Sequence, residues 1–112
     1  ELLGTTLPAG SAMQSFILEF ILTFFLMLVI IAVASGSMEQ GMFAGLAIGA
    51  VVALEAMFAG PICGASMNPA RSFAPAIVSG HHDSLWIYMV APIIGAASSV
   101  LIWRYLKSQP VP

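Results

Sequence analysis

The chain is 112 residues long, 60% apolar and only 7% charged, with three basic groups against five acidic ones. A soluble domain of this size needs several times more charge to cover its surface, so the composition excludes a soluble fold and indicates an integral membrane protein. The near balance of charge gives no reason to expect nucleic acid as a partner, and the lone Cys63 with the paired His81 and His82 supplies neither a disulfide nor a metal site, so no cofactor is expected.

The opening residues, Glu1 to Pro8, read as a loop, without an initiating Met or a signal-peptide pattern, and the chain is read as a fragment or as one part of a larger pore. Apolar runs follow at 16–34, 42–59 and 85–103. Each approaches the roughly 20 residues with which a helix crosses about 30 Å of hydrocarbon. None alternates with period two, so the expectation is an all-α membrane protein and not a barrel. With caps and flanks, the spans are expected at about 12–35, 41–59 and 84–106.

Ser11 is the expected N-cap of span one, and Ser35-Gly36-Ser37 its stop. The short loop 36–41 makes spans one and two antiparallel neighbours. Span two carries Gly45, Gly49 and Ala53 at four-residue spacing, and span three carries Ala91, Gly95 and Ser99, two stripes along which helix backbones can approach closely. Trp86, Trp103 and Tyr105 flank span three as interfacial anchors, and Arg104 with Lys107 beyond it puts the C-terminus in the cytoplasm. Glu39, in a loop without a basic residue, lends that orientation no support.

The connection between spans two and three runs for some 25 residues and is too apolar for a solvated loop. Within it, residues 69–79 form a helix candidate, with Asn68 as N-cap, Pro69 at the first helical position and Gly80 as the stop. Such a helix reaches only about 15 Å, half a bilayer. The preceding Gly60-Pro61-Ile62-Cys63-Gly64-Ala65-Ser66-Met67 is expected to be extended, which membrane depth tolerates only where backbone lines a cavity or is buried in protein. The segment is therefore a solute site: carbonyls of Gly64, Ala65, Ser66 and Met67 accept hydrogen bonds, Asn68 and the first helical N–H groups donate them, and the helix N-terminus disfavours cations. Arg71 in an apolar half-helix costs at least about 2.5 kcal/mol if it faces lipid, so it faces water or pairs with a buried acid.

Gly64-Ala65-Ser66-Met67-Asn68-Pro69-Ala70-Arg71-Ser72 resembles the second signature loop of the aquaporins, the major intrinsic proteins. The resemblance extends along the chain. Glu19-Phe20 and Thr23-Phe24 in span one, Gly45-Leu46-Ala47-Ile48-Gly49 in span two, and Trp86-Ile87-Tyr88 with Ala91-Pro92 in span three look like that family's fourth to sixth spans. It implies one half of an inverted-repeat six-helix bundle in which two Asn-Pro-Ala half-helices meet at the pore centre. Residues 1–112 form a single unit in this reading. The partner half comes from an N-terminal portion or a second polypeptide, and complete pores assemble as homotetramers in the bilayer.

The resemblance also implies which residues select. The family's constriction uses the arginine after Asn-Pro-Ala, the residue three before the asparagine, one twelve before it, and one from the other half; here these are Arg71, Ala65 and Ala56. Water-selective members carry histidine at the Ala56 position, so a methyl group there implies a wider passage for glycerol, urea or neutral metalloid acids as well as water. Residues 72–76, Ser-Phe-Ala-Pro-Ala, and Tyr88-Met89 depart from the glycerol-facilitator pattern, whereas Phe58-Ala59-Gly60-Pro61 onward is similar to the nodulin-26-like proteins and their bacterial relatives. A strictly water-selective pore stays open as an alternative.

In the family, the glutamate at the Glu19 position accepts hydrogen bonds from the second signature loop, a supporting role. The competing reading makes Glu19 and Glu55 a proton relay in a coupled transporter, although Glu55 lies about 100° round the helix from Ala56. A non-conducting junction protein is a further alternative. No nucleophile–base pair, phosphate loop or metal-spaced cluster occurs, so no enzyme and no catalytic residue are expected. Cys63 is read as a small buried side chain, and His81 and His82 as solvated loop residues beside Asp83.

Overall fold

A computed structural model of the chain describes residues 2–34 and 42–109. They form four helices: α1 (Ala12–Ala34), α2 (Ala44–Cys63), α3 (Pro69–Ser79) and α4 (Leu85–Ser108). Three of these, α1, α2 and α4, are long and apolar enough to cross a membrane. The expected stop at 35–37 and the loop 36–41 lie outside the described residues.

Helix α1 begins four residues before its apolar run because Ser11 caps it, the Ser11 Oγ accepting from the Gln14 N–H at 3.1 Å. It is the central helix, with α2 packed on one side and α4 along the other, and α3 rests on α4. Leu46, Leu54, Met57 and Leu101 all remain exposed. Leucines and a methionine left open along α2 and α4 form a surface suited to lipid and unsuited to water.

The two small-residue stripes have different fates. On α4, Ala91 and Ser99 are fully buried, and a Cβ at Gly95 would lie 2.6 Å from the Phe20 carbonyl oxygen and 3.3 Å from the Phe24 nitrogen. The α1 and α4 backbones therefore touch at a point where only hydrogen fits. On α2, no described atom comes within 4 Å of a Cβ placed at Gly45 or Gly49. That stripe faces no described element of this chain. Gly95→Ala is accordingly expected to push α4 off α1 and cost about 1–3 kcal/mol, read as a lower thermal midpoint in detergent; an unchanged midpoint would mean that the helices do not touch there.

The expected extended stretch at 60–67 is corrected by the structure. Span two does not end at Ala59 but continues as helix through Pro61 to Cys63. Pro61 lacks one N–H, and so close to the helix end this costs a single hydrogen bond without breaking the chain direction. The helix stops at Gly64, whose φ of 91° is left-handed and whose N–H bonds to the Gly60 carbonyl at 2.8 Å. Only residues 64–68 separate α2 from α3. Helix α3 runs as the sequence predicts, from Pro69 to the left-handed Gly80. At the start of α4, Trp86 stacks on Phe16 of α1 at 5.7 Å, and at its end Lys107 sits 5.7 Å over the Trp103 ring.

Candidate functional site

The site is built around residues 64–68. Ala65 and Met67 have φ of 46° and 55°, left-handed conformations that side-chain-bearing residues avoid. What holds them is Glu19. This residue is fully buried on α1, with its Oε2 accepting from the Ser66 N–H at 2.9 Å and its Oε1 from the Met67 N–H at 3.0 Å. Two successive N–H groups are thus drawn toward α1. The carbonyls of Gly64, Ala65, Ser66 and Met67 take no part in any described hydrogen bond.

Asn68 is extended, and its Oδ1 accepts from the Ala70 N–H at 2.9 Å and the Arg71 N–H at 3.3 Å. The cap consumes the acceptor and leaves the Nδ2 donors of the side chain for another partner. Pro69 and Ala70 open α3 behind it. The end of α2 is fastened to α4 by the Tyr88 hydroxyl, which donates to the Cys63 carbonyl at 2.6 Å.

In front of this loop lies a cavity of about 330 Å³. Of the residues singled out in the sequence, Ala56, Ala65, Ser66, Met67, Asn68 and Arg71 line it together. Gly64 is not among them and acts as the turn that ends α2. Leu26 and Val52 complete the wall and were not singled out. Val52 lies one helical turn before Ala56, so the helical period would have found it; Leu26 on α1 carries no signal in the sequence.

Arg71 is exposed at the cavity, and no ion pair involving it occurs among the described residues, so the reading that pairs it with a buried acid finds no partner there. Glu55 is 6% exposed, does not line the cavity, and its Oε1 has no hydrogen-bond partner among the described residues. Among the described residues, no acidic group lines the cavity wall. The α3 N-terminus and Arg71 therefore make its interior positive in character. Cys63 is fully buried, His81 and His82 are exposed, and no cluster of three metal-ligating side chains occurs among the described residues.

A half-length helix that starts from a loop held by Glu19, near the middle of a spanning helix, defines a polytopic membrane protein of the broken-helix type. The chain belongs to the major intrinsic protein family, whose model, described as Major intrinsic protein, matches residues 2–103. It is 53% identical over 100 residues to "Aquaporin NIP1-1" of Oryza sativa subsp. japonica, covering 89% of this chain and 34% of that protein. It is 45% identical over 107 residues to "Nodulin-26" of Glycine max, covering 96% and 40%, and 52% identical over 103 residues to "Aquaporin NIP3-1" of Arabidopsis thaliana, covering 92% and 32%. The chain thus spans about a third to two fifths of the length of these relatives.

Proposed function

We propose that the complete protein is a passive channel for water and small uncharged solutes, of glycerol or urea size or neutral metalloid acids, and that this chain is its second half. The observation that carries this is the composition of the cavity wall, in which the methyl groups of Ala56 and Ala65 stand beside the donors of Asn68 and Arg71. A neutral solute with oxygens accepts from Arg71 and from the Asn68 amide, while its hydroxyls donate to the free carbonyls of Ala65, Ser66 and Met67. Those exchanges offset the water it sheds. A cation gains nothing near Arg71 and the α3 N-terminus.

In this reading Ala65, Ala56 and Arg71 set the constriction, together with a residue from the other half of the pore. That half comes from the same polypeptide or a second one, complete pores form tetramers, and the C-terminus after Lys107 lies in the cytoplasm. A proton-coupled mechanism is disfavoured because both oxygens of Glu19 are taken up by the loop and Glu55 lies off the cavity.

Stopped-flow light scattering on vesicles carrying the complete protein tests the reading. Glycerol and urea uptake are expected to rise linearly with their gradient and to ignore collapse of a proton gradient. Uptake that saturates steeply, or stops when the proton gradient is removed, overturns it. Ala56→His is expected to lower glycerol flux relative to water by at least about tenfold, the scale on which a tight pocket discriminates small groups. If neither Ala56→His nor Arg71→Ala changes that ratio, the constriction is elsewhere.

A further inference from the structure

Three hydroxyl groups form a buried chain beside the cavity, and it begins in the segment before α1. The Thr6 Oγ1 is 2.7 Å from the Ser72 Oγ, the Ser72 hydroxyl donates to the Ser66 Oγ, and the Ser66 hydroxyl donates to the Asn68 carbonyl at 2.8 Å. Thr6, Ser66 and Ser72 are 5%, 4% and 1% exposed, so water does not compete for these bonds. Each hydroxyl has a single proton. The Ser66 proton is committed to Asn68 and the Ser72 proton to Ser66, which leaves Thr6 as the donor to Ser72. The chain is one-directional, the arrangement in which successive hydrogen bonds polarise one another.

Its position matters more than its length. Ser66 follows Ala65 and Ser72 follows Arg71 in the chain. The Ser66–Ser72 contact therefore ties together the backbones that carry two residues of the cavity wall. Thr6 also closes the back of the loop, since its Cβ would stand only 3.0 Å from a Cβ at Gly64. The segment around it is fastened on both sides, the Ala9 N–H donating to the Ile62 carbonyl at 2.9 Å and the Thr5 Oγ1 lying 2.9 Å from the Ser79 Oγ.

We propose that Thr6 is a positioning residue that sets the opening between Ala65 and Arg71 through the Thr6–Ser72–Ser66 hydroxyl chain, so that the segment before α1 takes part in solute selection without touching solute. The inference rests on the channel reading for its functional consequence and on the hydrogen-bond chain alone for its structural one.

The test uses the complete protein in vesicles, with any cysteine outside this chain replaced. Thr6→Val keeps the shape and deletes the donor, whereas Thr6→Ser keeps the donor. Loss of one buried hydrogen bond loosens the tie, and the ratio of erythritol to glycerol flux is expected to rise by about fivefold in Thr6→Val. Thr6→Ser is expected to keep the wild-type ratio. A general loss of folding lowers both fluxes together and leaves their ratio alone, so the ratio separates positioning from bulk stability.

A second readout needs no transport. Cys63 is fully buried immediately before Gly64, and its labelling by a maleimide is expected to quicken in Thr6→Val but not in Thr6→Ser. An unchanged ratio and an unchanged labelling rate in Thr6→Val overturn the proposal. If Thr6→Val does not reach the membrane, Ser72→Ala breaks the same chain from α3 and must produce the same two shifts. If the wild-type protein carries no polyol at all, the polyol part of the channel reading fails, and the labelling rates still decide whether Thr6 holds the loop.

Discussion

Glu19→Ala is expected to destroy the site and most of the folded protein with it. The Ser66 and Met67 N–H groups each give their hydrogen bond to this one carboxylate, at 2.9 and 3.0 Å, and no other acceptor replaces it. Hydrogen bonds to a charged group contribute about 1.5–3 kcal/mol each, so the loss is roughly 3–6 kcal/mol, a large share of the stability of a small protein. The left-handed backbone at Ala65 and Met67 then loses what holds it. Glu19→Gln is expected to fall between, because the amide offers one acceptor oxygen and turns its NH2 toward the second N–H. Thermal midpoints in detergent, with solute flux for whatever reaches the membrane, check the series. A Glu19→Ala variant with the wild-type midpoint and flux would show that the loop is held by something other than α1.

The second large effect is expected at Gly64. Its φ of 91° strains any L side chain by about 1–2 kcal/mol. In addition, a Cβ there meets the Thr6 Cβ at 3.0 Å, Cγ2 at 3.1 Å and Cα at 3.3 Å. The backbone atom among these cannot rotate away, so Gly64→Ala must displace the segment before α1 as well as strain the turn. Gly80 separates the two effects, because it has a similar φ of 80° but nothing within 4 Å of its Cβ position. Gly80→Ala should therefore lower the thermal midpoint by the conformational cost alone, and Gly64→Ala by clearly more. Equal shifts in the two variants would mean that Thr6 yields freely.

These two residues differ in how much of their role could be read in advance. Gly64 lies in the motif by which the sequence resembles its family, yet the sequence reading made it part of an extended run and not a helix stop. The extended reading rested on the glycines of the stretch; in the structure Gly60 and Pro61 stay helical, Pro61 deleting one hydrogen bond near the end of α2, and the turn closes on Gly64. The supporting role of Glu19 came from family resemblance. Composition and periodicity indicate only that an acid inside an apolar span needs a partner.

What the sequence by itself determined is local. Spanning length and apolarity set α1, α2 and α4, and Asn68, Pro69 and Gly80 set α3, because a cap, a restricted φ and a left-handed stop act within one turn of where they are written. The stripe on α4 likewise announced a close helix contact. Which helix it met, and that the stripe on α2 meets no described part of this chain, were decided by packing. The Glu19 contacts span 47 and 48 residues and the Thr6–Ser72 contact 66, distances over which no residue specifies its partner alone. Tertiary structure decided those contacts because a buried donor or acceptor must be satisfied by whichever group the fold brings within about 3 Å.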